Sequence, residues 1–502
     1  MKKVGLFCRR LWGSFGNSAT GIFVGATAAS IPEVNIKVGS IVATNSTIGV
    51  IGSFQTAFGM FVVGNNSIIN FTFESINVSS STSATCISNE GKMTINGGLM
   101  TATATDSASG ISSGFSSVTL AALTNGQVGR IVTTSTGSSI GVSVGGGSRT
   151  SLDIESISAT TTSGSLLSIG VQISSGASLT PSTGTANVGN ISNAKIGFSV
   201  SSSGGPKHGT FRFDRIESSV GQIAVVSAIN SFITLTGRYV ENSFIQTVGA
   251  EAGGNGLIDY ESTVSGVAGF FNVNIDEVAF VGTVEDVGRV PVFNLLGSVL
   301  PSASVFHRLK AHVKDIYVKE PLTAAGIYRS DPAVLYTSST AIAFDLTTDY
   351  VNLPGGNNTS TDPGLESNYV YRIDDLPVSS GAGPTGVDPF GVFNGLIKVI
   401  RVTSAQDAII LLKSIERLYI LGNFIQNNNT NTGGAIRIIT VATSTIYADD
   451  LVVVASASNS VFSDNANTDM YTYRIPVFNV TSSGVTFPFA ATFPPFVDSS
   501  VI

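Results

Sequence analysis

Four aspartates pose the first chemical question. Asp214, Asp276, Asp374 and Asp449 each fall in the same slot of a short recurring pattern. Two carboxylates flanking a glycosidic bond hydrolyse it with retention at about 5–5.5 Å and with inversion at about 6.5–9.5 Å. Equivalent positions on neighbouring strands lie about 4.8 Å apart, so acids in one slot of adjacent repeats approach a working distance. A second set, Asp345, Asp349 and Asp362 with Arg372, has the makings of a lyase centre, in which clustered acids hold calcium beside a base. The histidines His208, His307 and His312 are scattered, and His312 takes an outward slot. No Gly-x-Ser-x-Gly stands at a strand-to-helix elbow, and there is no two-histidine zinc motif, Cys-x-x-Cys pair or Walker loop.

The slot that holds the acids argues for a simpler role. Elsewhere it is filled by Gly39-Ser40, Glu155-Ser156, Gly189-Asn190 and Lys314-Asp315, types that tolerate a tight corner or turn a charge to water. Neighbours such as Asp374-Asp375 and Asp449-Asp450 point in different directions rather than at one substrate. The sequence therefore assigns no catalytic, cofactor-binding or metal-ligating residue and calls for no cofactor.

The elements that would position these side chains follow from the pattern itself: apolar, any, apolar, two polar or glycine positions, apolar, any, apolar or small. Copies begin at Ile36, Phe71, Leu152, Ala186, Phe211, Val273, Ala311, Tyr371, Ile410 and Ile446. Alternation at period two marks a strand with one buried face. The two-residue break shifts the phase, so both apolar pairs face one interior around a corner. The wide gaps 71–152, 211–273 and 311–371 look like intervals holding an unrecognised copy. Two short strands, a corner and room for a third strand make one coil of a solenoid whose coils stack over a continuous core. The expected inward rows contain Phe73, Ile154, Phe213, Ile275 and Ile373.

Composition agrees with this plan. Only 12% of the 502 residues are charged, about half the usual share, and the chain holds 55 glycines. No run approaches the roughly 18 uninterrupted apolar residues of a membrane span. A net charge of −7 removes a general nucleic-acid footprint. Two cysteines, Cys8 and Cys86, do not make a disulfide framework; both read as free thiols, Cys86 buried. Met1-Lys2-Lys3 starts like a secretory signal, but Arg9 and Arg10 interrupt its apolar core, which favours an uncleaved capping or attachment segment.

Along the chain, residues 1–32 read as an N-terminal cap or attachment segment and 33–319 as the solenoid. A Pro-rich, loop-rich insertion with one coil follows at 320–395, the solenoid continues at 396–480, and 481–502 form a Phe/Pro-rich tail. In coil pattern and in its Ser/Thr/Gly-rich strands, the stretch 33–480 resembles the right-handed parallel β-helix superfamily, which includes pectate-lyase-like enzymes, phage tailspikes and adhesin passengers. The resemblance implies an all-β, single-stranded right-handed parallel β-helix with capping terminal segments. It specifies a fold rather than an activity. The expected role is a non-enzymatic structural or attachment protein of a virion surface, fibre or tail. Its expected partners are further copies of itself as a homo-oligomer, a trimer by resemblance, other virion proteins, and a cell-surface glycan. The alternatives are a polysaccharide-degrading β-helix enzyme and a secreted bacterial adhesin.

Overall fold

The computed structural model describes residues 3–13, 18–24, 33–45, 56–63, 68–114, 122–163, 167–174, 181–201, 205–227, 230–242, 245–247, 256–262, 269–281, 287–289, 292–297, 307–318, 334–338, 342–353, 369–374, 392–404, 407–411, 415–426, 436–438, 444–454, 468–473 and 477–478; side chains are described for most of these between 19 and 317 and for 346–350. Every described element is a strand, and the chain divides into two units, Met1–Asn242 and Ser243–Ile502.

In the first unit a long and a short strand alternate. The long strands Lys3–Gly13, Glu33–Asn45, Ile68–Ser80, Lys92–Ala104, Leu123–Ser135, Arg149–Thr161, Ser182–Ser192, Lys207–Ile216 and Ser231–Asn242 pair in that order, all parallel. The short strands Ser18–Val24, Thr56–Val62, Ser83–Asn89, Ser107–Ser113, Ser138–Val144, Ser168–Ile173, Ile196–Val200 and Gln222–Ser227 form a second parallel sheet in the same order. Stacked parallel strands repeating through two sheets are the arrangement of a β-solenoid.

The eight-residue pattern lies wholly on the long strands of this unit. It does not end one strand and begin another. Pairing runs through the corner, from Val38↔Phe73 to Ser40↔Ser75, so both arms hydrogen-bond to the next coil as one bent, 13-residue strand. The copies stack on one another as Ile36↔Phe71, Leu152↔Ala186 and Ala186↔Phe211. The gap 71–152 holds two further copies, at Ile95 and Gly126, and 211–273 holds one at Leu235. Residues 3–13 repeat the pattern too: Leu6 pairs with Ile36 and Leu11 with Ile41, which places Arg9-Arg10 at the corner. The arginines that spoil a signal peptide are corner residues.

The core lies between the two sheets. Phe73, Ile154 and Phe213 share one row and are all but inaccessible. Beyond the corner runs a second row, Ile41, Ile76, Met100, Ile131, Ile157, Ile191 and Ile216, equally dry. The short strands meet that row with glycine. A Cβ on Gly59 would lie 2.5 Å from Cγ2 of Ile76, and one on Gly141 would lie 2.6 Å from Cγ2 of Ile157. The branched row thus presses on a backbone that has no side chain to yield. Cys86 is free and buried here.

In the second unit the long strands Phe270–Phe280, His307–Val318, Ile342–Leu353, Val392–Ser404, Ile415–Gln426 and Ser444–Val454 pair in parallel, and Thr468–Tyr473 and Val477–Phe478 both pair with the last. The short strands Ile258–Ser262, Phe293–Gly297, Val334–Ser338, Tyr369–Asp374, Asp407–Leu411 and Ile436–Ile438 form the companion sheet. A small antiparallel pair joins Ile245–Thr247 to Val287–Arg289. Val273 stacks on Ala311 as the pattern requires, and Ile275 and Val313 are fully buried. Two expected copies sit elsewhere. Tyr371 belongs to a short strand paired with Val334 and Ile409, and the copy at Ile410 runs out of one short strand toward the next long one. The copy that fills 311–371 begins at Leu346. Ile446 lies on a long strand opposite Leu418. The side chain of Ile373 and the tail 481–502 lie outside the described residues.

Among the described residues no helix is long and apolar enough to cross a membrane.

Candidate functional site: a polar groove on the long-strand face

The alternation that sends Ile and Phe inward must send the intervening residue outward. One outward row, just before the corner, contains Asn96, Gln127, Asp153, Asn187 and Arg212, each exposed and each in register with the next. Asn187 Nδ2 donates to Asp153 Oδ1 at 2.6 Å, so the amide and carboxylate lie edge to edge along the stack. Beside this ladder runs the corner row, where side chains and glycines alternate: Gly129, Glu155, Gly189 and Asp214. Close approach of the coils explains Gly189, since a Cβ there would lie 2.5 Å from the Glu155 carbonyl oxygen.

Ladder and corner together line a groove of about 460 Å³. Five coils contribute, so its floor extends about 19 Å along the stack. Asp153 and Glu155 make the middle coil acidic; Asn96 stands at one end, and Arg212 and Asp214 close the other. Glu155 and Asp214 are two coils apart, about 9.6 Å between backbones, with only Gly189 between them. Just past the corner, Arg215 pairs with Glu241 at 2.6 Å and lies over the Tyr239 ring, 5.3 Å from its centroid. Asn190 donates to Glu217 at 2.5 Å. This flank is tied down; the ladder itself offers amide, carboxylate and guanidinium groups to hydroxyl-rich or charged ligands.

Of the four aspartates in the corner slot, Asp214 alone lines the groove. Asp276 stands at a corner of the second unit. There Glu277 is opposite Asp315 and then Tyr350, while His312 is opposite Thr347. His312 meets Asp349 at 3.0 Å, and Tyr317 donates its hydroxyl to Glu277 at 2.8 Å. Burial raises the Asp315 carboxyl above the ordinary range; Lys314 pulls it down, and Glu277, Asp349 and Asp276 push it up. These contacts engage Glu277 and Asp349 as neighbours of protein groups. Among the described residues no group of three or more His, Cys, Asp or Glu is placed to hold a metal ion.

Asp374 is on a short strand, in a different sheet from the long-strand slot, because its copy is not a long-strand copy. Asp449 does lie on a long strand. The side chains of both are outside the described residues. The lyase-like set is divided: Asp345 and Asp349 share a long strand, Arg372 is in the companion sheet, and Asp362 lies outside the described residues. His208 stacks on Phe232 with centroids 5.2 Å apart.

The residues that sequence reasoning passed over are Asn96, Gln127, Asp153, Asn187 and Arg212. Their signal was the unconstrained position between two apolar ones. It becomes a ladder only after the copies at Ile95 and Gly126 are aligned with the rest.

Comparison with protein-family models, with curated proteins and with solved structures gave no match.

Proposed function

We propose that this protein is a non-enzymatic structural or attachment component of a virion surface, fibre or tail, built as a right-handed parallel β-helix. It assembles as a homo-oligomer and holds a surface glycan along the groove. The observation that carries this reading is the ladder from Asn96 to Arg212, one polar side chain per coil above a dry row of Phe73, Ile154 and Phe213. A ligand meeting such an array pays little ordering cost on the protein side, because the backbone of each rung is fixed by its neighbours. The hydroxyls of a sugar chain suit amide and carboxylate partners spaced at a regular step.

The test combines binding and turnover. Full-length protein is screened against neutral and acidic polysaccharides, and products are assayed in parallel. Retention of a glycan without product release, weakened tenfold or more by Asp153→Ala with Arg212→Ala, supports the reading. Recovery of the protein in purified particles rather than free medium supports the virion setting; recovery only in medium counts against it.

One observation favours a second reading. The two-coil separation of Glu155 and Asp214, about 9.6 Å between backbones, borders the window of inverting glycosidases. Product release abolished by Glu155→Gln or Asp214→Asn would replace attachment with hydrolysis.

A further inference from the structure

We infer that the interior of the first unit contains a binding site for a small inorganic anion, of the chloride or bromide class, centred on the Lys207 ammonium. Lys207 opens a long strand, pointing inward between Ser182 and Ser231 of the adjoining coils, and is completely inaccessible. Its Nζ has no hydrogen-bond partner. Among the described residues of this unit it is the only buried charged side chain, so no buried aspartate or glutamate balances it. An uncompensated ammonium in an apolar interior is costly, and such groups are found paired or neutralised.

Buried hydroxyls stand at the neighbouring strand ends, and each can accept as well as donate. Ser201 and Ser227 follow the last paired positions of adjacent short strands, Val200↔Val226, and the hydroxyl of each is buried with no partner. Ser201 leads into the strand that Lys207 opens. Ser227 precedes the turn into Ser231, the residue paired with Lys207. Ser182 Oγ accepts from the Gly147 amide at 3.1 Å, which leaves its own hydrogen to be donated. The register thus sets the lysine and these serines at adjoining strand ends of successive coils. A hydroxyl or a water can accept from the ammonium but leaves its charge uncompensated; a monoatomic anion balances that charge and accepts from the hydroxyls as well. Burial also lowers the pKa of Lys207, and a neutral amine is the state the anion must outcompete.

The inference is independent of the glycan groove. Full-length protein, wild type and Lys207→Met, is unfolded thermally in buffers of constant ionic strength, with bromide replacing gluconate. The expected result is a Tm that climbs by a few degrees with bromide in the wild type and stays flat in the variant. Equal bromide dependence in both proteins, or none in either, overturns the site. Should Lys207→Met not fold, wild-type protein refolded and crystallised in bromide decides the matter. Anomalous density beside Nζ supports the assignment, and its absence there refutes it.

Discussion

Cys86 and Met100 are two exceptions that answer each other. Cys86 stands in the short-strand row that is glycine at Gly21, Gly59, Gly110, Gly141, Gly170 and Gly197. Met100 stands in the long-strand row that is isoleucine at Ile41, Ile76, Ile131, Ile157, Ile191 and Ile216. Each glycine faces the isoleucine of the long strand that follows it, in most coils at the γ-branch: Gly59 faces Ile76, and Gly110 faces Ile131. By the same step Cys86 faces Met100. Methionine has no branch at Cβ, so within the run from Gly21 to Gly197 the side chain stands where the facing row lacks a γ-methyl; past Gly197 the row continues as Ile223, with Val240 in the long-strand row.

This pairing predicts a sign reversal. Met100→Ile restores the branch against Cys86 and should destabilise by about 1–3 kcal/mol, the usual cost of overpacking. Adding Cys86→Gly should recover most of that loss, with a coupling energy above about 0.5 kcal/mol in urea titrations of the four proteins. Additive losses would show that the two side chains do not share the space. Burial also drives the Cys86 thiol far above its ordinary pKa, so the folded protein should leave it unlabelled by thiol reagents.

Phe73 and Phe213 fill gaps left by glycine in the next coil. Gly97 is opposite Phe73 and Gly237 opposite Phe213, and a Cβ on either glycine would fall within the facing ring. Gly237→Ala should therefore cost about 1–3 kcal/mol or more. Phe213→Leu in the same chain should relieve part of it, because the ring is what the new methyl meets. Chemical denaturation of the single and double variants reads both effects. A neutral Gly237→Ala would mean that the ring swings aside freely.

These same pairs explain how far the sequence could be read. Period-two alternation and the two-residue corner were legible wherever the inward positions were aliphatic or aromatic, as at Phe71, Leu152 and Phe211, and they gave stacked parallel strands with the correct inward face. The copies at Ile95 and Leu235 escaped because Gly97 and Gly237 occupy inward slots, their volume supplied by a phenylalanine one coil away. Such compensation between coils is invisible to a pattern applied one repeat at a time. The first coil escaped although it fits: Arg9-Arg10 fill the two polar corner positions after Leu6 and Cys8, but they read as the interruption of a signal peptide and not as part of the repeat. In the opposite direction, Tyr371 matched the pattern on a short strand, since a stretch of alternating apolar residues carries no label for its sheet. The groove was illegible for want of register. Asp214 was picked out by type, but Asn187 and Arg212 gain meaning only from stacking with Asp153.

Ile275 and Val313 test the core of the second unit. They are opposite one another on adjoining long strands and neither has any exposed surface. Ile275→Asp or Val313→Lys leaves an unpaired charge in a dry row, a change expected to exceed about 4 kcal/mol and to abolish folding. Ile275→Val, which only trims a methyl group, should cost about 0.5–1.5 kcal/mol. Circular dichroism and solubility of the purified variants make the comparison. A soluble, folded Ile275→Asp would remove that row from the core.

Asp315 gives the second unit a pH dependence of definite sign. Its folded-state pKa is raised, first by burial and then by Glu277, Asp349 and Asp276, with Lys314 opposing. A raised carboxylate binds its proton more tightly when folded. Its favourable contribution is therefore complete below the ordinary carboxylate range and is lost as pH rises through the folded value. Asp315→Asn mimics the protonated form at every pH. The variant should be more stable than wild type at neutral pH, and the two should converge as the buffer becomes strongly acidic. Thermal unfolding across that range provides the check. High salt screens Lys314 and the three carboxylates alike while the cost of burial stays, so the part of the effect that survives in high salt is that of burial. A wild type more stable than Asp315→Asn at neutral pH would mean that Lys314 outweighs burial and the acids together.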